Sequence, residues 1–150
     1  MRLDITASQG TQIFKMITND SQFEPEILEA LLNFMQAQKR SIFIDVGSNI
    51  GIFPLILAKL MQQKDDENSF KQTSRQVPNI SIHAHEPLPM LQEISRKLMH
   101  DNKVKYDLQE TAISNVKGEK SLYVSAMSDS SNSLMEGFRP SKEVIQVQVN

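Results

Sequence analysis

Ser41-Ile42-Phe43-Ile44-Asp45-Val46-Gly47-Ser48-Asn49-Ile50-Gly51 decides the fold. Its first six residues are a short apolar run with β-branched and aromatic side chains, bounded by Lys39-Arg40 before and Gly47 after. Such a run predicts a buried parallel strand. Gly47–Gly51 then reads as a tight turn, and Ile52 to Gln62 as an apolar helix. Pro54 has no N–H and cannot sit inside that helix, so the helix must begin near Ile50 or Gly51. Strand, glycine turn and helix in this order are the opening of a βαβ unit.

The pattern repeats downstream. Ile80–His85 predicts a second strand, Pro89–His100 an amphipathic helix with Leu91, Ile94 and Leu98 inward, and Val104–Leu108 a third strand. Between the first two units lies Gln62–Asn79, polar and without period, which reads as a surface excursion. Upstream, Ser21 or Glu24 can open a helix with Pro25 in its first turn and Ile27, Leu28, Leu31, Leu32 and Met35 on one face. Residues 1–22 form a separate, weakly patterned segment with a candidate hairpin from Leu3–Ile5 and Gln12–Met16. After the third strand the rhythm changes. Glu119–Ala126 and Glu143–Val149 alternate at period two around the Ser-rich stretch Met127–Lys142, which predicts an antiparallel hairpin.

Two features carry chemistry. Glycines in the turn let a ligand approach the backbone, and a helix N-terminus offers N–H groups beside Asp45. Glu86, at the tip of the second strand, can accept hydrogen bonds from both hydroxyls of a ribose laid across the strand ends. Asp45 and Glu86 stand about 40 positions apart, and removing the excursion brings the gap to the about 20 expected of a nucleotide-binding βαβ unit. A dinucleotide site wants a second glycine where this chain has Asn49, which disfavours a pyrophosphate. A nucleoside with a cationic sulfonium and an amino-acid tail fits better, with Asp45 near its ammonium. The plain alternatives are that Asp45 caps the turn and that Glu86 is a solvated strand end. His83 and His85 share a strand face, but no third ligand accompanies them and no metal site is expected.

Composition narrows the classes further. The apolar share is 39% and the net charge −2, which gives no electrostatic basis for binding nucleic acid. No apolar stretch is long enough to span a membrane. The chain has no cysteine, so neither disulfides nor thiolate metal sites arise, and a reducing cytoplasm is the default compartment.

Phe43–Gly51, then His85-Glu86-Pro87, then Thr111-Ala112-Ile113-Ser114-Asn115 with Gly118, resemble the successive signatures of FkbM-type methyltransferases. Ser130–Leu134 and the strand Val144–Val149 resemble that family's middle region. The resemblance covers residues 23–149 and implies an α/β, Rossmann-like class I methyltransferase fold. It implies S-adenosylmethionine as cofactor, bound through Asp45, Gly47, Ser48, Asn49, Gly51, Glu86 and Ala112. Ser48 stands where the family often has alanine. The implied acceptor is a hydroxyl on a small molecule or sugar, and no catalytic residue can be named. In the family an acidic strand motif and further strands follow the hairpin. A complete sheet with its helices needs about 170 residues, so residues 23–150 are expected to be a fold truncated after three parallel strands and a hairpin. The chain alone is then expected to be an incompetent enzyme, with an open sheet edge that pairs with itself or a second chain. Two other functions stay open: a non-catalytic interaction module that keeps the turn, and a nicotinamide-dependent oxidoreductase, against which Asn49 argues.

Overall fold

The structure, a computed structural model, describes residues 24–37, 40–59 and 79–150. The N-terminal segment with its candidate hairpin, and nearly all of the Gln62–Asn79 excursion, lie outside the described residues. Helix α1, Pro25–Gln36, is followed by strand β1, Arg40–Val46, and by α2 over residues 52–59. Then come β2 (Asn79–His85), α3 (Pro89–Asp101), β3 (Asp107–Gln109) and the hairpin β4 (Gly118–Ser125) and β5 (Ser141–Val149). β1, β2 and β3 form a parallel sheet in the order β1-β2-β3, with Asp45 opposite Ala84 and His85 opposite Gln109. The fold is therefore α/β with a three-stranded parallel sheet. β4 and β5 pair antiparallel, Leu122 opposite Ile145, with an irregularity at Val124/Ser125. The hairpin is stitched to the chain after β3, because Ala112 N–H donates to Gln148 O and Asn150 N–H donates to Ala112 O. No helix among the described residues is long and apolar enough to cross a membrane.

One face of the sheet carries the core. Ile82 and Ala84 of β2 are buried there, with Phe43 and Ile80 packed against the core, which also holds Ile52, Leu55, Leu91, Leu98 and Met99 of α2 and α3. α1 contributes Leu28 and Met35, while Ile27, expected to point inward, is half exposed. Its N-cap, Glu24, has φ 44 and makes no side-chain capping bond, so α1 leans on Pro25 and packing rather than on a cap.

The other face of β1 is bare. Ile42, Ile44 and Val46 are 71%, 58% and 60% exposed, where the apolar run predicted burial on both sides. The reason is alternation: successive strand residues face opposite ways, and the described helices bury their apolar residues in the core on the Phe43 side. Among the described residues β1 also pairs only with β2, leaving its outer backbone edge open.

The third strand is shorter than expected because its first apolar residue serves another purpose. Val104 N–H donates to Met99 O at 2.9 Å and Lys103 N–H to His100 O at 3.0 Å, with Lys103 at φ 56. That is the hydrogen-bond pattern of a Schellman helix end, and Val104 is its buried apolar residue beside Met99. Only three residues, Asp107–Gln109, remain to pair with β2.

Candidate functional site

The tips of β1 and β2, the turn after β1 and the loop inside the hairpin enclose a cavity of about 480 Å³. Of the residues singled out from sequence, Asp45, Gly47, Ser48, Asn49, Glu86 and Ala112 line it together. Gly51 does not. It has φ 79 and faces α3, where an added Cβ would stand 2.7 Å from Ser95 Oγ and 2.8 Å from Met99 Cε. Gly51 is thus the close-packing glycine that lets the turn approach α3. Gly47, at φ 73, has open space on its Cβ side, so only its backbone conformation demands glycine.

The turn's N–H groups are spent within the protein, three of them on the tip of β2, where free donors were expected. Gly47 and Ser48 N–H both donate to His85 O, at 2.9 and 3.0 Å. Asn49 N–H donates to Glu86 Oε2 at 2.8 Å, Ile50 N–H to Asn49 Oδ1 at 2.9 Å, and Gly51 N–H to Ser48 O at 2.8 Å. Asn49 takes φ 53, a left-handed conformation that asparagine tolerates better than most residues. Ser48 Oγ is buried beside the cavity with no hydrogen-bond partner among the described residues.

Glu86 is neither solvated nor idle. It is 5% exposed, and its two oxygens accept from Asn49 N–H (2.8 Å) and Leu88 N–H (2.9 Å). Each oxygen keeps a lone pair, so the carboxylate can still accept from a ligand hydroxyl. Burial pushes the Glu86 carboxyl above its ordinary range; the Leu88 and Asn49 donors oppose the rise and the Asp45 charge adds to it. Burial also pushes Asp45 up, to about 6, and no hydrogen bond or ion pair among the described residues reaches that carboxylate.

The opposite wall comes from residues that sequence reasoning gave no individual role. Asp129, Ser130, Asn132, Ser133 and Leu134 line it, with Ile52, Phe53 and Leu122 supplying apolar floor. The Ser-rich composition marked a loop, and the pairing of the two strands around it was the signal that would have carried it back over the strand tips. The described lining therefore holds three carboxylates, Asp45, Glu86 and Asp129, and no lysine, arginine or histidine. His83 and His85 are bonded elsewhere, to Asp107 Oδ2 at 3.0 Å and Thr111 Oγ1 at 3.1 Å. Among the described residues no group of three or more His, Cys, Asp or Glu is placed to hold a metal ion. Glu110 pairs with Arg96 at the surface, away from the cavity lining.

Such a site suits an uncharged or cationic ligand with hydroxyls and an apolar body. An anion would meet carboxylates, and the turn offers it no unspent N–H. Searches among protein-family descriptions, curated proteins and solved structures return no match to this chain.

Proposed function

We propose that this chain is the cofactor-binding part of a Rossmann-like, S-adenosylmethionine-dependent methyltransferase acting on a hydroxyl of a small molecule or sugar. The observation that carries the reading is the charge of the seat at the strand tips: three carboxylates, no basic side chain and a turn with all five N–H groups used. A nicotinamide dinucleotide or ATP brings phosphates, and nothing here neutralises them. The bound cofactor would supply an electrophilic methyl on a positively charged sulfur. The chain's own part is positioning and charge balance. Glu86 accepts ribose hydroxyls on its remaining lone pairs, Asp45 faces the ammonium, and the turn at Gly47–Asn49 forms the floor beside the tail. Ala112 borders the seat from the segment after β3, and the hydroxyls of Ser130 and Ser133 suit a hydroxylated acceptor on the far wall.

Calorimetric titration of the chain with S-adenosylhomocysteine, ATP and NAD tests this. Heat of binding is expected for the first alone, and binding of NAD or ATP in its absence overturns the reading. Glu86→Ala should weaken S-adenosylhomocysteine by about 1.5–3 kcal/mol, as for a hydrogen bond to a charged group. Unchanged affinity in a variant that circular dichroism shows to be folded removes Glu86 from the site.

A second reading, that the chain works as an interaction module, is favoured by the exposed Ile42, Ile44 and Val46 of β1 and by its outer edge, unpaired among the described residues. Two copies meeting edge to edge would cover that surface. Ile44→Lys is then expected to lower the mass measured in solution while changing unfolding stability by less than about 0.5 kcal/mol. A monomeric parent chain rules out this pairing of two copies.

A further inference from the structure

The far wall of the cavity belongs to a loop, residues 126–140, which Ser133 ties to β4 by two backbone bonds with Tyr123 (2.8 and 3.2 Å) and whose Asp129 end is tied to the turn through one backbone atom. Asp129 O accepts from Asn49 Nδ2 at 3.0 Å and from Asn132 Nδ2 at 3.1 Å, which uses both of its lone pairs. Asn132 Oδ1 accepts from Ser125 N–H at 3.0 Å, so that bond holds the loop to its own hairpin. The Asn49 bond is different in kind, because it crosses the cavity mouth from the turn to the loop.

Three observations set Asn49 apart from a mere turn residue. Its backbone at φ 53 would be served at least as well by glycine, so conformation alone does not call for a side chain. The residue is 8% exposed and both ends of its amide are used, Oδ1 by Ile50 N–H and Nδ2 by Asp129 O. The first bond fixes the amide plane so that the second points across the gap; a flipped amide would set donor against donor and acceptor against acceptor. Its own N–H, meanwhile, is held by Glu86 Oε2. One residue thereby joins the ribose-side carboxylate, the turn and the loop wall.

We infer that Asn49 is a positioning residue that sets the width of the seat, holding the Asp129 end of the loop wall at a fixed distance from the strand tips. The identity of the ligand in that seat rests on the methyltransferase reading; the tie itself does not. A ligand touching both walls then binds only as tightly as the loop is held.

The test uses the full chain and two variants that both tolerate positive φ. Asn49→Gly removes both side-chain bonds. Asn49→Asp keeps an acceptor for Ile50 N–H but has no donor for Asp129 O. Hydrogen exchange without ligand, thermal unfolding, and titration with S-adenosylhomocysteine are measured on each. Both variants should speed exchange at the Ser131 amide about five- to tenfold, the equivalent of one lost hydrogen bond, while the amides of Leu98 and Val124 keep their protection relative to global unfolding. The dissociation constant for S-adenosylhomocysteine should rise by a similar factor in Asn49→Gly. Parent-like loop exchange in both variants overturns the inference, and so does a loosened loop with unchanged affinity. A purely structural role would lower protection everywhere by the same factor, which also overturns it. If the parent chain itself fails to bind S-adenosylhomocysteine, the methyltransferase reading falls, and the ligand-free exchange still judges the tie.

Discussion

Asp45→Asn is expected to stabilise the empty protein at pH 7 by about 1–3 kcal/mol while weakening its hold on S-adenosylhomocysteine by about 1.5–3 kcal/mol. Burial lifts the Asp45 carboxyl from 3.8 to about 6. Below about pH 4 the folded and unfolded chains both carry it protonated, and its contribution to stability is fully present. Between about 4 and 6 the unfolded chain ionises first, so stability falls as pH rises, and above 6 the loss is complete. At pH 7 the folded chain therefore holds a half-buried carboxylate with no partner among the described residues, which asparagine replaces at similar size without charge. Glu86 shifts in the same direction and deepens the effect. A cationic ligand group reverses the balance, because it favours the ionised carboxylate. Urea unfolding at pH 5 and pH 7, with calorimetry on both proteins, measures the two signs. A variant less stable than the parent at pH 7 would mean that Asp45 serves the turn structurally and is not held for a ligand.

Gly51→Val should cost about 3 kcal/mol or more, by adding the strain of a side chain in the left-handed region to overpacking against α3. The contact at Ser95 Oγ is hard to relieve because that hydroxyl is bonded to Tyr106 OH at 3.0 Å. Gly47→Val meets no atom within 4 Å and carries the conformational strain alone, about 1–2 kcal/mol. It should nevertheless abolish cofactor binding, since a side chain there stands beside the seat. The two glycines are thus expected to separate stability from binding. Equal melting temperatures for the two variants would remove the close contact assigned to Gly51, and parent-like binding by Gly47→Val would remove the turn from the site.

The elements most legible in the sequence were those with a clean period. The inward set Leu91, Ile94 and Leu98 of α3 and the alternation around Leu122 and Val147 needed no tertiary knowledge. The apolar run of β1 placed the strand but not the exposure of Ile42, Ile44 and Val46, because a run without alternation does not say which face is covered. Val104 read as strand because a β-branched residue after a helix looks alike in a strand and in a Schellman end; only the left-handed Lys103 separates them. In the site, Asp45 and Glu86 were legible from their places at strand tips. The packing role of Gly51 depends on Ser95 and Met99, more than forty residues further along the chain. The bond from Asn49 to Asp129 spans 80 positions and lands on a main-chain oxygen, which leaves no mark in residue type.

That the tie from the turn to the loop wall lands on a carbonyl has a consequence for how this protein can change. Any residue at position 129 presents the same oxygen to Asn49 and Asn132, so the anchor survives replacement of the side chain beside it. Positions 129 and 130 can therefore be rewritten without moving the frame that holds them, while Asn49, Asn132 and the core-packed Leu134 cannot. A library randomised at those two positions would alter what the cavity accepts and leave its dimensions intact, which makes this wall open to new ligands by selection.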